Sequence, residues 1–222
     1  MKWYLVFLCF LFLLLGCDKD EEPGSFEAEQ HSSEIIFIDG QIQLDIINNI
    51  GNLNVIASDT ASHIYLDIIK VATSTLNQGD AEAHLNDIQI ELNAVGDIAY
   101  AVVEHPEDNA VDYSVNFNII TPVNFDYDLI LGNGNIDVQS ISRKIVIELG
   151  NGNFTADVVL TNDCFMKVTH GNGKMLVTIP NATNAYISAI LGNGIITNGG
   201  LSIDVDEFSK TKLLGTLEME MV

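Results

Sequence analysis

Three histidines stand 21 residues apart, His63, His84 and His105. On stacked coils that spacing would align three imidazoles as metal ligands. They fall, however, in segments that read as a strand, a helix end and a turn, with no second set of ligands in view. The sequence therefore points to no metal site and no cofactor. Asp137, in "GNGNIDV", invites a calcium reading, because a calcium ladder needs hard oxygens at regular stations. The equivalent positions of the later repeats are Thr155, Leu176 and Thr197, so the aspartate does not recur. Catalysis on such a scaffold needs carboxylates, or a base with arginine, gathered on one face of successive coils. Asp126, Asp128, Asp137, Glu148, Asp157 and Asp163 share no common offset, and Arg143 is the only arginine in the chain. They read as a solvated acidic face and the protein as a non-enzyme; a carbohydrate-active enzyme on a β-helix scaffold is the alternative. Cys164 reads as a small buried hydrophobe, since Lys167 alone gives a reactive thiolate little support.

The elements that carry these residues are repeated. Gly-Asn-Gly occurs at Gly132, Asn133, Gly134; at Gly150, Asn151, Gly152; at Gly171, Asn172, Gly173; and at Gly192, Asn193, Gly194. The intervals are 18, 21 and 21 residues, and an alternating apolar segment follows each triplet. Units of this length stack to bury a core that none could bury alone. A corner is needed once per coil, and glycine supplies positive φ without steric cost, while asparagine tolerates the left-handed region. Coils stacked at about 4.8 Å would align the four asparagines as a ladder of amides. Residues two and four beyond each second glycine, such as Ile136 and Val138, would then enter the core. "IGNLNVIA" at Ile50 reads as an imperfect early copy, and "LLGTLEMEM" at Leu213 as a last one.

Upstream, residues 34–122 read as a mixed antiparallel β region capping the 123–222 coils. Asp80 would cap one short helix over Gly79–Leu85, and Gly96 would turn a hairpin. The fold class is all-β: a β-solenoid preceded by this region, one domain over 34–222. Phe125, Tyr127, Phe154 and Tyr186 are the aromatics to inspect for an exposed patch, although the alternation turns most of them inward.

Residues 1–16 read as a signal peptide: Lys2, an apolar run from Trp3 to Leu15, then Gly16. Leu14-Leu15-Gly16-Cys17 is similar to a bacterial lipobox, which predicts lipidation at Cys17 and a membrane-anchored chain. Residues 17–33 read as an acidic flexible tether. "CDKDEE" also resembles the export signal of surface lipoproteins in Bacteroidetes-type bacteria; a plain solvated linker fits the same composition. With 31 acidic against 9 basic residues the formal charge is −22. Such a field repels nucleic acid and anionic headgroups.

The order of strands, short helix, hairpin and then "DYDLILGNGNIDV" with further Gly-Asn-Gly turns resembles the bacterial putative-adhesin domains of toastrack or head-GIN β-solenoid type, over roughly Glu34 to Val222. The resemblance implies an envelope protein with an adhesin, sensing or scaffolding role; with the lipobox and the acidic run, the reading is an exported protein lipid-anchored to the outer membrane and facing the surface, meeting an envelope or host protein or glycan. The resemblance brings no catalytic residues. A structural component of the envelope without a specific ligand is the further alternative.

Overall fold

The computed structural model describes residues 24–107, 110–158, 164–179, 185–196 and 203–217. The signal segment, Cys17 and the acidic run after it lie outside these residues. Twelve strands form one mixed sheet: β1 (Phe26–Ile36), β2 (Gln43–Ser58), β3 (Ile64–Ser74), β4 (Gln89–Val95), β5 (Ile98–Glu104), β6 (Val111–Pro122), β7 (Asp126–Ile141), β8 (Ile145–Val158), β9 (Cys164–Thr178), β10 (Ala185–Asn193), β11 (Ile203–Phe208) and β12 (Lys212–Leu217). The order is β1-β3-β6-β2-β7-β8-β9-β10-β12-β11, with the β4–β5 hairpin joined to β2 through β5. Strands β2, β7, β8, β9 and β10 run parallel and form the solenoid stack.

The first three Gly-Asn-Gly triplets lie inside long strands and bend them, while the fourth begins at the end of β10 and finishes just beyond it. In β7, Tyr127, Leu129 and Leu131 are buried before the triplet, and Ile136 and Val138 after it. The inward parity changes from odd to even across Gly132–Gly134, because side chains alternate along a strand and a corner resets the phase. The coils of β2, β7, β8 and β9 therefore each contribute to two walls, and β10 to the first. The first is built from the segments before the triplets, the second from those after, and one apolar core lies between them. Close-packed Leu, Ile and Phe such as Leu129, Ile147 and Phe154 fill it, each contributing about 1.5–3 kcal/mol by burial.

The walls diverge at β2. Its first half pairs with β5 and its second half with β6, while β7 pairs with both halves. The antiparallel arm β6-β3-β1 extends the second wall, and β5-β4 extends the first. Helix α1 (Gln78–His84) links the two arms on the chain path from β3 to β4, and Ala81 is its buried residue.

Several expectations need correction. β2 is the first rung of the parallel stack, so the line drawn at residue 122 does not separate cap from coils. Its Gly51 pairs with Gly134, the second glycine of a triplet. The described part of the "LLGTLEMEM" segment, Leu213–Leu217, is no further coil: β12 runs antiparallel to β10 and β11. Residues Phe26–Ser33, read as tether, are strand β1 paired along β3. Their polar, charged composition suits a solvent-facing edge strand, where such residues discourage further pairing. The side chain that caps α1 is Asn77, which accepts from the Asp80 backbone N–H at 3.0 Å. Asp80 lies in the first turn and accepts from Ser74 Oγ at 2.6 Å.

Candidate binding surface

The corner is built by contact between backbones. The second glycines have φ of +137° at Gly134, +139° at Gly152 and +137° at Gly173. A Cβ on Gly152 would lie 2.6 Å from the carbonyl carbon of Gly134, and one on Gly132 would lie 2.5 Å from the Asn49 oxygen. In the first three triplets both glycines are thus required by the close approach of the previous coil, whereas a Cβ on Gly194 would meet the Leu191 side chain. The asparagines between them do not adopt positive φ; among the described non-glycine residues only Ser140 does, at 61°. Their role is the ladder. Asn151 Nδ2 donates to Asn133 Oδ1 at 2.9 Å, Asn172 to Asn151 at 2.7 Å, and Asn193 to Asn172.

A second ladder, not foreseen from sequence, runs beside the first. Asn52 donates to Asn116 Oδ1 at 2.8 Å, Asn135 to Asn52 at 2.9 Å, and Asn153 to Asn135 at 2.9 Å. Its signal was the fourth letter of "GNGN", at Asn135 and Asn153. Beneath the corner, Asn48 and His170 occupy inward positions that leucine fills in other coils. Asn48 Nδ2 donates to Val115 O at 2.8 Å, and His170 Nε2 lies 3.1 Å from the carbonyl oxygens of Gly152 and Asn172.

The three spaced histidines do not converge. His63 packs against Phe37, with ring centroids 4.9 Å apart. His84 Nδ1 contacts Asp87 at 2.7 Å and the Tyr113 hydroxyl at 2.8 Å, and His105 stacks on Tyr113 at 5.2 Å. Among the described residues no group of three or more His, Cys, Asp or Glu is placed to hold a metal. On the outer face of the first wall Asp45 and Asp128 are cross-strand neighbours. Partial burial holds the Asp128 carboxyl above the usual range, with the charges of Asp45 and Glu148 adding to it. Asp126 is engaged by Arg143 at 3.0 Å. The side chain of Cys164 and residue Asp163 lie outside what is described.

Three of the aromatics singled out are interior: Phe125, Tyr127 and Phe154. Burial pushes Tyr127 up to about 12, and its hydroxyl bonds Thr121 Oγ1. Tyr186 is half-buried on the first wall and stacks on Phe165 at 5.6 Å with the rings within 1° of parallel.

Exposed apolar groups occur on both walls: Ile47 and Val95 on the outer face of the first, beside Ile98 and Val102, and a cross-strand band on the outer face of the second. Register places Ile35, Tyr65, Ile120 and Ile56 side by side across β1, β3, β6 and β2. Ile35 is 47% exposed, Tyr65 38% and Ile120 44%. Phe37, 70% exposed, continues this band just beyond β1, with His63 between it and Tyr65. The neighbouring cross-strand row is polar: Ser33, Asp67, Asn118, Asn54 and Asp137. Ser33 Oγ donates to Asp67 at 2.6 Å. The band gathers residues of β1, β2 and β3 with one from the more distant β6, and only the register sets them side by side.

No protein-family model matches the chain, and no curated protein matches it by sequence. Among solved structures, a putative cell adhesion protein from Clostridium sporogenes is similar with a TM-score of 0.59 at 14% identity, over 87% of this chain and 91% of that one. Looser likenesses are a putative adhesin from Parabacteroides distasonis, with TM-score 0.32 at 9% identity over 70% and 66% of the two chains, and one from Bacteroides fragilis, with TM-score 0.31 at 12% identity over 68% and 92%. The chain shares the fold of the first, an all-β architecture of stacked, bent strands.

Proposed function

We propose that this protein is a non-enzymatic binding module of the cell envelope, exported, lipid-anchored to the outer membrane through Cys17 and displayed outward. It meets an envelope or host protein or glycan through the outer face of the second wall. The observation that carries this reading is the exposed band Ile35–Tyr65–Ile120–Ile56, extended by Phe37, on a sheet fixed by ladders and a continuous core. Contiguous exposed apolar groups rimmed by polar ones mark interaction sites. The fold shared with a protein named for cell adhesion supports the same reading, as does "LLGC" followed by an acidic run. A chain with a formal charge of −22 stays away from anionic lipid and nucleic acid, which suits a domain held off the membrane by a tether.

Protease shaving of intact cells tests the display. The domain is expected to be cleaved from wild-type cells and protected when Asp18–Glu22 is deleted. Protection in both strains would put the domain in the periplasm and remove the outward-facing reading. Replacing Cys17 by Ser is expected to release the protein from the membrane fraction; retention would remove the lipid anchor.

A further inference from the structure

We infer that the second-wall band takes a neutral polysaccharide, laid across the strands with its sugar faces on the exposed rings of Phe37 and Tyr65, between which His63 packs. This rests on the reading of that face as the binding surface and names what it binds. The three rings form a short twisted run: Phe37 meets His63 edge-on at 4.9 Å and 64°, and His63 is tilted 55° from Tyr65 at 6.4 Å, so a polysaccharide following it would turn from one ring to the next. Aromatic side chains present an apolar face at little conformational cost, and their stacking suits the C–H face of a pyranose. Ile35 and Ile120 flank Tyr65 and continue the apolar floor.

Beside that floor lies the chemistry for hydroxyl groups. Asp67 presents a carboxylate whose Oδ1 accepts from Ser33 and whose other oxygen can accept from a hydroxyl, and Asn118, whose Oδ1 accepts from Asn54 Nδ2, has an amide nitrogen left to donate; the Asn54 oxygen itself is buried. All three lie one step along their strands from the apolar band, on the same face. A ligand with one apolar side and a fringe of hydroxyls matches this pairing of rows. A protein partner matches it less well. A stable protein interface buries about 800 Å² per partner through some 20–30 residues, whereas the apolar floor here is six side chains bounded by a polar row.

Charge sets the remaining choice. The described face carries Asp67 and Asp137 beside the band, and Lys174, on β9 at the far side, continues the Asn153 row. With a formal charge of −22 over the chain, uronate, sulfate and phosphate groups are repelled. The sheet is held by its ladders before the ligand arrives, so little ordering opposes binding.

The test uses the purified full-length protein in affinity electrophoresis against soluble β-glucan, mannan, xylan and dextran, with polygalacturonate and heparin as anionic comparators. At least one neutral polymer is expected to retard the protein, and binding should persist at high salt. The double variant Phe37→Ala/Tyr65→Ala is expected to weaken it by about tenfold or more, the scale of losing aromatic anchors. Tyr65→Phe, which keeps the ring, should bind as wild type does. Circular dichroism on each variant checks that the sheet is intact, and Tyr186→Ala on the first wall serves as the matched surface control. Retardation by no neutral polymer, by the anionic polymers only, or equally in the double variant and wild type overturns the inference. If the double variant still abolishes attachment of whole cells in such a case, the binding face stands and only its ligand class is wrong. If attachment is unaffected too, both fall.

Discussion

Replacing Gly152 by Ala is the sharpest test of how the corner is built. The residue sits at φ +139°, and the new Cβ would lie 2.6 Å from the carbonyl carbon of Gly134 and nearer still to its oxygen. Ordinary van der Waals contact begins near 3.4 Å, and the oxygen is the limiting atom, so the coils would have to part by well over an ångström at a point where both partners are backbone. Adopting that φ with a side chain costs about 1–3 kcal/mol by itself. Parting the coils also strains the Asn151–Asn133 and Asn153–Asn135 amide bonds, each contributing about 1 kcal/mol. The sum is at least about 3–5 kcal/mol, a large share of the 5–15 kcal/mol that holds a typical domain. Gly96→Ala is the comparison, since φ there is +57° and nothing lies within 4 Å of the added carbon; it should cost about 1–2 kcal/mol. Urea unfolding followed by far-UV circular dichroism reads both. Equal losses in the two variants would show that the corner glycines serve φ alone and that coil contact does not constrain them.

Asn151 both donates and accepts in its ladder, so Asn151→Ala should destabilise by about 1–2 kcal/mol, and Asn193→Ala, at the ladder's end, by about half as much in the same unfolding assay. Tyr127 is neutral at physiological pH in both folded and unfolded chains; its contribution is present below 10.0 and is lost as pH rises toward about 12. That loss amounts to about 2–3 kcal/mol, and Tyr127→Phe should remove it from the alkaline limb while destabilising at neutral pH by leaving Thr121 Oγ1 unpaired. An alkaline limb identical in wild type and variant would contradict this. Asp128 also has a raised value, so its favourable contribution exists below the ordinary carboxylate range and disappears as pH rises through the raised one. Asp128→Asn should accordingly stabilise at neutral pH, by under about 1 kcal/mol for a partly exposed site, with the advantage fading on acidification; a loss of stability at neutral pH would count against it.

The corner was legible because it repeats: four triplets at near-constant spacing leave few ways to fold. The role of each letter within the triplet was not. The asparagines read equally well as turn residues and as ladder residues, and only the backbone geometry assigns the turn to glycine. Strand β1 escaped notice because "FEAEQHSSE" carries the composition of a tether, and pairing along β3 supplies what its own sequence lacks. The terminal "LLGTLEMEM" shows the converse, a local likeness to a coil overridden by an antiparallel return. The proposed binding face was the least legible element. Ile35, Tyr65, Ile120 and Ile56 each read as one member of an alternating strand, and their adjacency is a property of the register among β1, β3, β6 and β2. The aromatics that drew attention in sequence are mostly core, as the alternation within their own strands required.

The most direct test of the account is attachment of intact cells carrying the full-length protein to surfaces coated with host proteins and with glycans. Three strains suffice: wild type, a Phe37→Ala/Tyr65→Ala/Ile120→Ser variant on the second wall, and Tyr186→Ala on the first. The account predicts attachment by wild type and by Tyr186→Ala, and its loss in the triple variant at equal surface abundance. Attachment by none of the strains, equal attachment by all three, or loss that follows Tyr186 instead would contradict it.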